Sequence, residues 1–465
     1  MITQPEQLSL DQWAGRYCEL CAAGLYEPPY GGPLERHVRD GDTRLRTLRY
    51  DNSPAALRLW NFLLTEEDRL REARENGTTI VGAMKDLGTV PLLCYALPDT
   101  VAFYPDGAWW IPCVMELNAG LLGIADRMGI SEAFCPVRAM LGAFVSEAHF
   151  PKPDLLICSV GAVCDDFSAI AQRLNGLGYP ILWWEIPHRR QPDLDEIAVE
   201  LPGGFSAPAS LVEVVHQEFQ RIATVLEEQT GHALTEERLQ DSIRVANEFR
   251  TILRELRTLA YSVTPCPMGA LELLVAEMLA LHYCSDRAEA LVVVQELLDE
   301  VHQRVQLGTG VLSPQAARIY WINPVADLRA MNLLEACGGR ICGTDYLFSH
   351  AIEPIPTLAD PLEALARIAL ADPMIGTSRD RATQIGRDIV ALGAEAVVIS
   401  RIPGASHCAI ESDVLANWIQ THLNLPVVQI EVPPLIDSVL PSIQTRLEAV
   451  VEIVIQNRST KKEEL

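Results

Sequence analysis

The chain is short of positive charge. Its 465 residues carry 37 Lys and Arg against 62 Asp and Glu, a net charge of −25. A surface with that balance repels phosphate backbones and anionic lipid, so neither nucleic acid nor membrane is expected as a partner. Long apolar stretches are also missing. No run of about 18 apolar residues occurs, so no membrane span is expected. The opening MITQPEQLSLDQWAG has no basic stretch followed by an apolar one, so no secretory leader is expected. The 12 cysteines therefore read as thiols or metal ligands in a reducing cytoplasm, not as a disulfide framework. No G-x-G-x-x-G falls in a strand–turn–helix setting, which leaves a nicotinamide dinucleotide site unsupported. GTDYLF has too few glycines to cradle phosphate. The lone Cys-x-x-Cys, Cys18 and Cys21 in GRYCELCAAG, lacks the second pair that a closed zinc site would use.

What remains is an ordinary globular composition, 49% hydrophobic and 21% charged. At roughly 150 residues per domain, two or three domains are expected. Residues 1–77 read as a helical, mostly polar N-terminal extension, in which SPAALRLWNFLLTEEDRLREARENG ends at Gly77. Residues 78–205 read as an α/β domain with strands at TTIVGAM, PKPDLLICSV and YPILWWEIP. Continuous apolar strands separated by helices imply a parallel sheet covered on both faces. Residues 206–309 are helical. Val215, Phe219, Ile222 and Leu226 share one face, and Thr235 caps a helix carrying Leu239, Ile243 and Ala246. The α/β pattern returns over 310–458 with strands at ARIYWINP, GRICGTD, AEAVVISR and LPVVQIEVPP, and 459–465 is a solvated tail.

Two segments share one pattern. PDLLICSVGAVCDDFSAIAQRLNGLGYPILWWEIP and AEAVVISRIPGASHCAIESDVLANWIQTHLNLPVVQIEVP each read strand, loop with a cysteine, helix, turn, strand. Cys164 and Cys408 thus follow the carboxyl ends of strands, where open α/β sheets bind ligands. Each also stands near a helix start, which favours thiolate over thiol. If the two domains face each other, both thiols enter the shared cleft. EAFCPVR adds Cys135 just ahead of a helical run, one element upstream. Cys135, Cys164 and Cys408 are the candidate metal ligands. Three thiolates with an open fourth position suit a [4Fe–4S] cluster.

At these residues the chain resembles the 2-hydroxyacyl-CoA dehydratase D-component family, with its related benzoyl-CoA reductase subunits and double-cubane cluster proteins. EAFCPVR, DLLICSVGAVCDD, LTEERLQDSIRVANEFRTILREL, PLEALARIALADPMI and the closing LPVVQIEVPPLIDSVLPSIQTRLEAVVEI carry the resemblance. It implies an α/β chain of two Rossmann-like parallel-sheet domains, with a helical N-terminal extension and a helical insert between them. It further implies a [4Fe–4S] cluster on Cys135, Cys164 and Cys408, an ATP-dependent iron–sulfur activator, a homologous subunit in a homo- or heterodimer, and an acyl-CoA substrate. The implied lyase reaction is radical. One low-potential electron forms a ketyl on the thioester carbonyl, hydroxide leaves, and an enoyl-CoA results. The β-proton of a plain thioester is not acidic, so the cofactor carries the hard step. A benzoyl-CoA reductase-like reduction is the sister chemistry. The second reading is an electron-transfer or double-cubane [8Fe–9S] reductase protein without a CoA substrate, for which Cys113, Cys266, Cys337 and Cys342 are spare ligands.

Other residues have plainer readings. Cys94, Cys158 and Cys284 are small core hydrophobes. Asp165, Asp166, Glu411 and Asp413 are first-turn acids that favour the helix dipole. His407 reads as a loop residue, and Arg379 and Arg381 in IGTSRDRATQIG as solvated cations.

Overall fold

A computed structural model of the protein describes residues 4–13, 15, 46–107, 117–147, 149–162, 164–282, 285–346, 348–406, 410–434 and 437–463. The apolar runs become two four-stranded parallel sheets. The first contains β3 (Thr79–Met84), β4 (Thr100–Phe103), β5 (Leu155–Gly161) and β6 (Ile181–Ile186), in the order β4-β3-β5-β6. The second contains β9 (Ala317–Ile322), β10 (Gly339–Asp345), β11 (Ala396–Arg401) and β12 (Val427–Glu431), in the order β10-β9-β11-β12. The two sheets have the same winding. In each the chain starts at an inner strand, adds one neighbour outside it, then crosses to the other side for two more. They are two Rossmann-like domains, and the segments matched by pattern are the β5–β6 and β11–β12 halves. The short strand β4 escapes a reading by periodicity because its four residues TVAF emerge from a Pro-Asp turn. The hairpin β7 (Ala198–Leu201) and β8 (Phe205–Pro208) is a further addition.

The N-terminal region is less polar than its composition suggests. Among the described residues, β1 (Gln7–Leu8) pairs antiparallel with β2 (Tyr50–Asp51). Trp13, Tyr50 and Trp60 form a buried aromatic cluster, with ring centroids 5.6 and 5.1 Å apart in sequence. The expected single helix is two, α1 (Pro54–Leu64) and α2 (Glu66–Glu75), broken at Thr65. Asp51 is locked to Arg304 at 2.5 and 2.8 Å, both side chains being buried. The segment is therefore bolted onto the molecule.

In the first domain α3 (Val90–Tyr95), α4 (Leu117–Arg127), α5 (Ala139–Ser146) and α6 (Asp165–Gly176) connect the strands. The central helical layer is α7 (Ala209–Thr230), α8 (Glu236–Ser262), α9 (Ala270–His282) and α10 (Arg287–Leu307). Thr235 accepts the Arg238 amide as the cap of α8, and Leu239, Ile243 and Ala246 are buried as their spacing predicts. Helix α8 touches both domains. Its buried Arg250 donates to Gly88 O at 3.1 Å, in the β3–α3 loop, and to Glu353 O at 2.6 Å, in the second domain. The second domain adds α11 (Arg329–Ala336), α12 (Pro361–Leu370), α13 (Ser378–Ala391), α14 (Ser412–Leu423) and the closing α15 (Leu440–Glu463). Arg189, beyond β6, crosses to the Leu370 and Asp372 carbonyls at 2.7 and 2.9 Å and stacks on Phe205.

Candidate functional site: thiols at the domain junction

Where strand order reverses, the loops that leave neighbouring strands diverge and open a crevice at the carboxyl ends. In the first domain that point lies between β3 and β5. Asp86, just past β3, accepts from Thr89 N, Val90 N and Tyr104 OH at 2.9, 3.0 and 3.0 Å, and burial raises its pKa. Beyond β5 the chain must turn sharply. Gly161 has φ +104°, and a Cβ there would lie 2.3 Å from Ile186 O. Ala162 then donates its amide to that carbonyl at 2.8 Å. The turn delivers Cys164 to the cap position of α6, with Asp165 and Asp166 in the first helical turn.

Cys135 occupies the equivalent position before another helical element. It precedes the turn Pro136–Arg138 that leads into α5, and it is 6% exposed. That turn packs against α6. Two thiols thus precede two helical starts that pack together.

Cys408 and His407 lie outside the described residues, but the chain leading to them is placed. Gly404 has φ +80°, and a Cβ on it would come within 2.6 Å of Phe134 O, the carbonyl just before Cys135. Ser406 donates its amide and its hydroxyl to Asp166 Oδ2, both at 3.1 Å. The Cys164 thiol donates to the same oxygen at 3.6 Å. The loops carrying Cys135 and Cys164 and the approach to Cys408 therefore meet. Among the described residues, no three His, Cys, Asp or Glu side chains form a metal-binding group.

Three expectations need correction. Asp166 is more than a first-turn acid: it is 5% exposed and faces inward as the clasp between the two domains. Glu411 caps no amide of α14 with its side chain and instead pairs with Arg381 at 2.7 Å. Arg381 is not solvated. Its side chain is 2% exposed, with Nη2 2.6 Å from Asp345 and 2.8 Å from Asn323 Oδ1. Asp165 and Arg379 are exposed, as is Asp413, which accepts from Gln429 at 3.0 Å.

The buried charge extends beyond Arg381. Asp345, at the end of β10, also takes His350 Nε2 at 2.9 Å, and His350 Nδ1 meets Asp372 at 3.0 Å. Burial opposes the imidazolium, but hydrogen bonds and attraction from the two aspartates outweigh it and raise the His350 pKa to about 8. Burial would raise the Asp345 pKa, yet Arg381 and His350 hold it well below the usual carboxylate range. Asp345, His350 and Asp372 line a cavity of about 230 Å³, together with Leu87 and Phe205 from the first domain and Arg254 and Arg257 from α8. A signal for this network is present in the sequence. Arg381 shares a helical face with Ala382, Ile385 and Ile389, all buried, so an arginine occupies a core position.

The remaining thiols divide clearly. Cys94 and Cys158 are fully buried, and burial pushes the Cys158 pKa up to about 12. Cys342 is the extra residue at a register shift in β10, and burial raises its pKa to about 11. Cys266 is buried and donates to Met268 O at 3.1 Å. Cys18, Cys21, Cys113 and Cys284 lie outside the described residues.

Two like-wound parallel α/β domains, with the Cys135 and Cys164 turns of one meeting a loop of the other at Gly404 and Ser406, define a class of two-domain Rossmann-like proteins. Within that class the match is specific. The sequence model of the 2-hydroxyglutaryl-CoA dehydratase D-component family covers residues 96–454, and the chain belongs to that family. It is a 2-hydroxyacyl-CoA dehydratase-like subunit, the family being a component of a dehydratase-type enzyme. No curated protein matches the chain. Among the described residues no helix is long and apolar enough to cross a membrane.

Proposed function

We propose that the chain is the iron–sulfur subunit of a cytoplasmic 2-hydroxyacyl-CoA dehydratase-like lyase, with Cys135, Cys164 and Cys408 holding a [4Fe–4S] cluster between domains 78–205 and 310–458. The observation that carries this reading is the Asp166–Ser406 contact, which draws the approach to Cys408 onto the Cys164 turn while Gly404 seats against the Cys135 turn. The donor set fits the group: Cys135 and Cys164 are soft thiols at helical starts, with the Asp166 carboxylate beside Cys164. When bound, the cluster would supply one-electron chemistry at a thioester carbonyl, after reduction by an ATP-dependent iron–sulfur activator.

The chain's own residues have separable roles. Ligation requires each thiol to release its proton. Asp166 Oδ2 is already the acceptor for the Cys164 thiol. Ser406 keeps that carboxylate in place through two bonds. Among the described residues, the spare cysteines favour a single cluster over a double cubane. Cys266 and Cys342 are buried thiols with raised pKa values, and Cys337 ends α11, at the amino end of β10 and opposite the cleft. An acyl-CoA and a homologous subunit complete the proposed assembly.

Anaerobic reconstitution tests the reading. Wild-type protein is expected to hold about four irons and as many sulfides per chain. Cys135→Ser, Cys164→Ser and Cys408→Ser should each lose most of the metal. Absence of iron in the wild type, or full iron in Cys164→Ser, refutes the assignment. An acyl-CoA assay with activator present separates the lyase from an electron-transfer subunit.

A further inference from the structure

The two domains repeat one turn, and the residue at its corner differs. β3 and β9 are each followed by a left-handed residue that is not glycine: Lys85 has φ 53° and Asn323 has φ 67°. A serine on the neighbouring inner strand clamps each corner. Ser159 of β5 donates to Lys85 O, and Ser400 of β11 donates to Asn323 O at 2.8 Å. Since β3 neighbours β5 and β9 neighbours β11, both corners stand where strand order reverses. Strain of this kind persists where the surroundings over-determine it, and it gathers at ligand sites.

The two side chains have different fates. Asn323 is occupied inside its own domain: Nδ2 reaches Ser400 O at 3.1 Å, and Oδ1 takes Arg381 Nη2 at 2.8 Å. Lys85 is only 5% exposed, yet no hydrogen bond or ion pair holds its ammonium among the described residues. The nearby acids are committed elsewhere. Asp86 accepts from Thr89, Val90 and Tyr104. Asp372, in the second domain, is taken by His350 Nδ1 at 3.0 Å and Met374 N at 2.8 Å. Burial would raise the Asp372 pKa, but His350 and then the Lys85 charge bring it down. Lys85 thus faces the domain junction without touching a counterion. Its stem is enclosed while Nζ keeps an opening, since no sealed lysine nitrogen without a partner occurs among the described residues. An enclosed cation that no protein group satisfies is unfavourable to keep unless something else meets it.

We propose that Lys85 is a ligand-binding residue whose ammonium holds an anionic oxygen, of a carboxylate or a phosphate, on a small molecule seated at the carboxyl ends of β3 and β5. Open α/β sheets bind ligands at that place. An ammonium is a compact point charge with three donors, so it meets either group. On a chain of net charge −25, an unpaired cation is also what draws an anion to one spot. The site needs no metal. Only the choice of probes rests on the proposed acyl-CoA reading, which offers a carboxylate in a 2-hydroxyglutaryl group and phosphates in CoA.

The test uses the full chain, purified anaerobically, as wild type, Lys85→Met, Lys85→Arg and Lys85→Gly. Isothermal titration calorimetry reads the binding of two probes, 2-hydroxyglutarate and CoA, and urea unfolding reads stability. A hydrogen bond to a charged group corresponds to about 10–100-fold in affinity, so Lys85→Met and Lys85→Gly should weaken a probe that uses this residue by about that factor. Lys85→Arg keeps the charge and should lose less. Glycine adopts the left-handed corner without strain, so Lys85→Gly should unfold at the wild-type urea midpoint or above it. A lysine kept only for structure would give the reverse, a lower midpoint with binding intact, and that result overturns the proposal. A loss confined to 2-hydroxyglutarate puts a carboxylate at Lys85, and a loss confined to CoA puts a phosphate there; either supports it. Wild-type affinity for both probes in Lys85→Met, or no binding of either probe to the wild type, overturns it. If Lys85→Met does not fold, Lys85→Gly carries the test. Failure of the cluster reading shows separately, as absent iron, and leaves the binding result standing.

Discussion

His350 makes a prediction whose sign and size follow from its surroundings. It is enclosed, with Asp345 on Nε2 and Asp372 on Nδ1, and its pKa is raised from 6.5 to about 8. Between those values the folded protein holds a proton that the unfolded chain releases. Folding is therefore favoured by this group below about pH 6.5, and the contribution drains away as pH rises through about 8. A shift of that size corresponds to about 2 kcal/mol, at 1.36 kcal/mol per pKa unit. Other groups titrate in the same range. Burial, with Asp51 adding to it, raises Glu272 to about 8, and burial raises Glu335 to about 7. Both also bind protons more tightly when folded, so wild-type stability should fall by more than the His350 share. The comparison with His350→Gln isolates that share. Urea unfolding followed by tryptophan fluorescence at about pH 6 and about pH 9 should give wild type a loss larger than the variant's by about 2 kcal/mol. Equal losses, or a larger one in the variant, would refute the assignment of a buried imidazolium.

Asp166→Ala should separate the Cys164 turn from the Cys408 approach, removing two bonds to a charged acceptor worth about 1.5–3 kcal/mol each at most. Loss of iron from reconstituted protein with little change in far-ultraviolet circular dichroism is the expected result. Gly404→Ala forces a side chain into the left-handed region and against Phe134 O. A cost of about 1–3 kcal/mol in unfolding free energy is expected, with weaker iron binding. Arg304→Met strands buried Asp51 and should cost about 3–5 kcal/mol, seen as a lower urea midpoint. An unchanged midpoint would mean the N-terminal segment is not bolted through this pair.

Much of this architecture can be read from the chain because its signals are local. Apolar runs such as DLLICSV and AVVIS need two covered faces, and the helices between them show their faces by spacing. Cys164 is legible for the same reason: a thiol between a buried strand and a helix start has a defined place. The clasp is not legible in that way. Asp166 looks like any first-turn acid until Ser406, distant in sequence, arrives on it. Arg381 misleads for a related reason. A charged residue in a polar-looking stretch is normally solvated, and its burial depends on partners from four separate elements. Long-range pairing of charges leaves no period in a sequence, although Arg381 on the apolar stripe of its helix is a usable clue.

Arg250 has a mechanical meaning. One guanidinium on α8 grips a carbonyl from the β3–α3 loop and another from the second domain. The helix thus acts as a crossbar, and pulling the two sheets apart would have to break charge-assisted bonds inside the molecule.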